Sequence, residues 1–170
     1  MLTGCATGGG PSELDPEVLE VQAVVLEHVL EDTKPYLEEV KIDEVCIVAA
    51  VHSRVQGVER WAGNRGREGE WAAEILADRL AAEGWRVLPA QACDLDDDRW
   101  FSLESGAEAV VASAATMLWE DDDLVFVDAG LARNLEEQFR YECTVVRGDA
   151  GWVVDECARP SDEGLSLIHI

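Results

Sequence analysis

The sequence predicts a single α+β domain. Two stretches with helical apolar spacing come early, at 16–32 and 70–83, and β-branched and aromatic segments bounded by turn residues fill the last third. A hydrophobic content of 48% supplies material for one core. Helices first and a strand meander last favour segregated α+β layers. The expected architecture is an N-terminal helix and a second helix packed on one face of a curved antiparallel sheet.

The elements follow in order. Asp15-Pro16-Glu17 opens a helix, with Asp15 as the cap and proline pre-set for the first helical position. Val18, Leu19, Val21, Val24, Val25, Leu26, Val29 and Leu30 then form a broad apolar stripe, and Pro35 predicts an end near Asp32. His28 reads as a surface or boundary residue. Val45 to Val51 is a β-branched apolar run that reads as a buried strand. From His52 to Gly69 four glycines interrupt a segment with no apolar period, and a long loop is expected.

Glu70 to Glu83 is the second helix, with Trp71, Ile75, Leu76 and Leu80 on its inner face and Gly84 as its C-terminal stop. Trp85 to Leu88 reads as a strand ending at Pro89. Ala107 to Trp119 has some helical spacing, but its β-branched content favours a strand. Leu124 to Ala129 is another strand. Phe139–Val146 and Trp152–Cys157 form a hairpin, for which Asp149-Ala150-Gly151 suits a three-residue loop.

That hairpin arithmetic sets Cys143 opposite Cys157. Five cysteines are present, and with Cys5 set aside four remain, an even number suited to an oxidising compartment. Four cysteines allow three connectivities. The expected pairs are Cys143–Cys157 and Cys46–Cys93; the alternative is four reduced, buried thiols.

The net charge is −23, from 36 acidic against 13 basic residues. Such a surface repels nucleic acid and anionic membranes, so nucleic-acid binding is not expected. No run reaches the roughly 20 apolar residues of a membrane helix.

Four constellations are candidates for function. The loop from His52 to Arg67 carries Arg54, Arg60, Arg65 and Arg67 against a single acid, Glu59, a basic island able to grip an anion. The other reading is an arginine set that neutralises the protein's own acidic surface. Asp94-Leu95-Asp96-Asp97-Asp98 and Glu120 to Asp123 offer oxygens for calcium, but an EF-hand frame begun at Asp94 has Arg99 where glycine belongs and Ser105 where glutamate belongs. They read as solvated turns, and no metal site is expected.

For catalysis, His28 and His52 are the available bases, and His52-Ser53 is the best nucleophile–base neighbourhood; no nucleophile elbow, phosphate loop or dinucleotide fingerprint is present. No catalytic residue or cofactor is assigned. Of the six tryptophans, Trp71, Trp85 and Trp152 read as core, and Trp61 and Trp100 lie near loops.

Leu2-Thr3-Gly4-Cys5 resembles the lipobox of bacterial lipoproteins. The resemblance implies lipid attachment at Cys5 and an extracytoplasmic, membrane-anchored domain, and it requires a basic and apolar leader upstream of Leu2. Residues 1–13 would then be lipobox and flexible tether, with the small-residue Gly/Pro/Ser segment Ala6 to Ser12, and 14–160 the folded domain. Residues 161–170 form a tail, in which 165–170 resembles a translated sequencing adapter, so His169 is not counted as a ligand.

The element order is similar to nuclear-transport-factor-like or cystatin-like folds, and the closing hairpin resembles small secreted bacterial proteins. Neither likeness implies an activity. The expected role is binding or structure in the envelope, with the membrane and an envelope protein as partners and no chemistry of its own. Two alternatives stay open: a small-molecule or anion binder using the sheet face and the Arg54–Arg67 loop, and a carboxylate-based hydrolase.

Overall fold

The computed structural model describes residues 14–49, 51–55, 58–62, 67–134 and 136–160, with side chains left undescribed at 51–68, 115 and 116. Helix α1 (Pro16–Val40) starts as its sequence dictates: the Asp15 carboxylate accepts the Glu17 N–H at 2.9 Å. Its stripe of Val18, Val21, Val25, Leu26, Val29 and Leu30 is buried.

The helix does not stop near Asp32. It runs through Pro35, which costs an internal hydrogen bond and about 3 kcal/mol. Tertiary packing offsets this. Leu37 and Ile42 are buried, each contributing about 1.5–3 kcal/mol, and Tyr36 packs edge-on against Phe139 with ring centroids 4.7 Å apart. The end comes at Lys41, in the left-handed region at φ 58°. There the Lys41 N–H reaches the Glu38 carbonyl at 3.3 Å and the Ile42 N–H reaches that of Leu37 at 3.1 Å, a Schellman closure.

Strand β1 (Glu44–Ala49) leads into two short strands, β2 (Val51–Val55) and β3 (Val58–Ala62), then helix α2 (Arg67–Ala82) and strand β4 (Val87–Pro89). Strands β2 and β3 pair with each other, antiparallel, from Val51↔Ala62 to Val55↔Val58. Over 52–55 and 58–62 the expected long loop is therefore two paired strands, and 67–69 belong to α2; Val51, Val55 and Val58 favour strand over the nearby glycines. On α2, Ala72, Ala73, Leu76 and Leu80 are buried, whereas Ile75 is exposed and does not belong to the inner face.

The remaining strands are β5 (Cys93–Asp96), β6 (Arg99–Ser102), β7 (Glu108–Trp119), β8 (Leu124–Ala132), β9 (Gln138–Gly148) and β10 (Gly151–Ala158). The main sheet has eight strands in the order β10-β9-β8-β7-β1-β4, with β6 pairing β7 and β5 pairing β6. The fold is α+β, with both helices on the sheet. The sheet is mixed and not wholly antiparallel: β1 runs parallel to β4 and to β7. Helix α2 carries the chain back to the starting edge, which is the connection a parallel pair needs. Buried along nearly its whole length, β1 shows the apolar run expected of such a strand.

Both disulfides are formed as expected, Cys46–Cys93 and Cys143–Cys157. The second arises by a different route from the hairpin arithmetic. Gly151 pairs with Gly148, so the loop is the two residues Asp149 and Ala150, and Val154 pairs with Val145. A bulge at Asp155 then shifts the register by one residue and restores Cys157↔Cys143.

Candidate binding surface

Burial along the meander alternates with strand period. On β8, Val125, Val127, Ala129 and Leu131 are buried toward the helices, and Phe126, Asp128 and Gly130 face away. On β9, Tyr141, Cys143 and Val145 point inward, and Arg140 and Glu142 point outward. Helix α1 contacts β7 to β10, and α2 contacts β1 and β4. On the far side the segment 90–96 is tied to β1 through Cys46–Cys93. No helix packs on the outer face of β7 to β10 among the described residues, although β3 contacts β7 and Pro160 lines part of this face.

The register arranges that face in rows. Leu118 pairs with Phe126, and Leu124 pairs with Val146, which pairs with Val153. Leu118, Phe126 and Val153, on β7, β8 and β10, are 54%, 41% and 49% exposed and lie on two adjacent rows, the row of Phe126 continuing into Thr144 and Glu156. Next to it, Asp128 stands directly opposite Glu142, a like-charge pair that costs about 0.2–1 kcal/mol. The following row sets Gly130 between Ser113 and Arg140. A groove of 540 Å³ opens here, with Val111, Ser113, Asp128, Gly130, Arg140 and Glu142 among its lining. Among the described residues, none of Asp128, Arg140 and Glu142 makes an ion pair. The surface thus offers exposed apolar positions, two unneutralised carboxylates and one guanidinium within four adjacent rows.

One end of this face is held rigid. Arg133 donates to Glu108 at 2.8 Å and to Glu137 at 3.1 Å, and Glu137 also accepts the Tyr36 hydroxyl at 3.0 Å. The Tyr36 bond, with Arg133 beside it, holds the Glu137 carboxyl below its ordinary range. Burial, and then the Glu137 bond, push the Tyr36 phenol up. Tyr141 donates to Asp32 at 2.7 Å, and burial followed by that bond raises its phenol further. These groups clamp α1 to the sheet through bonds to β9 and to the turn before it.

The sequence candidates fall elsewhere. Cys5 and Arg65 lie outside the described residues. Arg54 stands opposite Glu59 and Arg60 opposite Ser53, on successive rungs of the β2–β3 hairpin, and Arg67 is the first residue of α2. His52 and Ser53 belong to β2, and His28 is exposed on α1.

The acidic clusters serve as turns only in part: Asp94 and Asp96 lie on β5 and pair with Phe101 and Arg99. Asp97 and Asp98, at φ 45° and 69°, close the β5–β6 hairpin in the paired left-handed conformation that Asp tolerates well. Asp121 accepts the Asp123 N–H at 2.8 Å before β8. Trp152 is buried, edge-on to Trp119 at 5.4 Å, and Trp71 and Trp85 are partly buried.

The open-face residues Asp128, Arg140 and Glu142 were not singled out from sequence. Their signal was the strand alternation, which places polar residues at alternate positions on both β8 and β9. Comparison with family models, with curated proteins and with solved structures returns no match.

Proposed function

We propose that this chain is an extracytoplasmic binding domain tethered to a bacterial membrane through a lipid on Cys5. It carries out no chemistry of its own. The observation that carries the binding role is the helix-free face of β7 to β10, where Leu118, Phe126 and Val153 lie exposed beside the groove of Asp128, Arg140 and Glu142. Contiguous apolar surface on a stable domain usually marks an interaction site. Two disulfides support the location, since such bonds persist in oxidising compartments. Among the described residues no helix is long and apolar enough to cross a membrane, so a membrane location would rest on the Leu2–Cys5 motif.

Site-specific photo-cross-linking in native envelopes tests the binding face. A photoreactive residue at position 126 should give a discrete cross-linked species, and the same residue at Ile75, exposed on α2, should not. Equal labelling at both positions, or none at 126, would remove the open face as the binding surface.

A further inference from the structure

We propose that the groove between the end of α1 and the turn from α2 to β4 is a second binding site, which takes an organic anion with an apolar or aromatic body. The groove has a volume of 520 Å³, within the range of roughly 300–1,000 Å³ usual for small-molecule sites. Both of the chain's lysines, Lys34 and Lys41, line it. In a sequence with 36 acids, neither lysine forms an ion pair among the described residues.

Arg86 lines the same groove but is already held, by Asp43 at 2.6 Å and by the buried Glu44 at 2.8 Å. It therefore acts as a fixed wall, and its charge answers Asp43. Glu38 is the one other carboxylate of the lining, so two ammonium groups without an ion pair share the groove with a single further acid. The protein as a whole carries −23. This local reversal is what an anionic head would recognise.

The rest of the groove suits an apolar body. Leu37 and Ile42 are buried at its floor, and Trp85, partly buried, stands over it with the Lys34 ammonium 5.7 Å from its ring centroid. A ligand ring could stack on the indole while its carboxylate, sulfonate or phosphate meets the lysines. The site lies toward the far end of α1 from Pro16. A helix of 25 residues spans about 37 Å, so this groove is independent of any tether at the N-terminus.

The probe is 8-anilinonaphthalene-1-sulfonate, an anionic aromatic dye that a protein of this charge should otherwise repel. Fluorescence titration should show one saturable site per chain. The double variant Lys34→Gln/Lys41→Gln should raise Kd at least tenfold with Tm and near-ultraviolet dichroism unchanged. The uncharged dye N-phenyl-1-naphthylamine should lose no affinity in that variant. Phe126→Ser, on the open sheet face, should leave dye binding as it was. Absence of saturable binding, equal affinity in the lysine variant, or loss of binding in Phe126→Ser instead would each overturn the proposal.

Discussion

Removing the Cys46–Cys93 bond should cost more stability than removing Cys143–Cys157, even though the latter joins neighbouring strands of one hairpin. The first bond spans 47 positions and encloses the β2–β3 hairpin, α2 and β4; the second spans 14. Cross-linking restricts the unfolded chain in proportion to the logarithm of the closed loop, which gives about 4 kcal/mol for the first and about 3 kcal/mol for the second.

Alanine is the right replacement. Cys46 and Cys143 are buried, and a serine would leave a hydroxyl without water. Against a typical domain stability of about 5–15 kcal/mol, either loss is large. For a chain of this size, 4 kcal/mol corresponds to a fall in Tm of roughly 8–16 °C. Urea denaturation of Cys46→Ala/Cys93→Ala and Cys143→Ala/Cys157→Ala, each measured against the oxidised parent, provides the numbers. A Cys46/Cys93 loss below about 1 kcal/mol, or a clearly larger loss for Cys143/Cys157, would refute the loop-entropy reasoning.

Three further outcomes are expected. The Tyr141 phenol is held protonated above its ordinary value of 10.0 by burial and then by the Asp32 bond, so its contribution is complete below pH 10 and is lost as pH rises further. Tyr141→Phe should lose about 1–2 kcal/mol at pH 7, yet show a flatter decline in stability above pH 10 by chemical denaturation; an unchanged slope would count against this. Gly151 sits at φ 128° with Glu20 Oε1 only 2.5 Å from where a Cβ would stand. Gly151→Ala should cost about 1–3 kcal/mol, and adding Glu20→Ala should recover only the steric part, which urea melts of both variants would show. Deleting the bulge residue Asp155 should leave Cys157 facing Cys143 on an unbroken ladder, so a free-thiol assay should still find that disulfide closed; deleting Val154 instead moves Asp155 onto a core-facing rung and should destabilise the hairpin.

The parts of this fold that could be read from the chain are those with local causes. The Asp15 cap, the α1 stripe and the β8–β9–β10 meander follow from residue types at fixed spacing. Where tertiary contacts decide, sequence was a poorer guide. Pro35 is a sound stop signal in isolation, but Tyr36 and Leu37 find partners beyond it. The valines of 51–58 were outweighed by glycines until pairing gave them a ladder. The acids at 97 and 98 read as solvated turns; their task of closing a tight hairpin depends on backbone angles that sequence does not display.

The parallel pairing of β1 depends on where α2 returns the chain, a long-range fact. The Cys143–Cys157 register is legible because a two-residue turn and a one-residue bulge together equal a three-residue loop. For the candidate surface, outward alternation on β8 and β9 was legible, but bringing Asp128, Arg140 and Glu142 together required the register between the strands.

Mass spectrometry of the protein recovered from native membranes decides whether the chain is lipid-anchored in an oxidising compartment. Cys5 should be N-terminal and carry acyl chains, with Cys46, Cys93, Cys143 and Cys157 all oxidised. An unmodified Cys5 on a protein found in the soluble fraction, with its other four thiols reduced, would contradict that assignment.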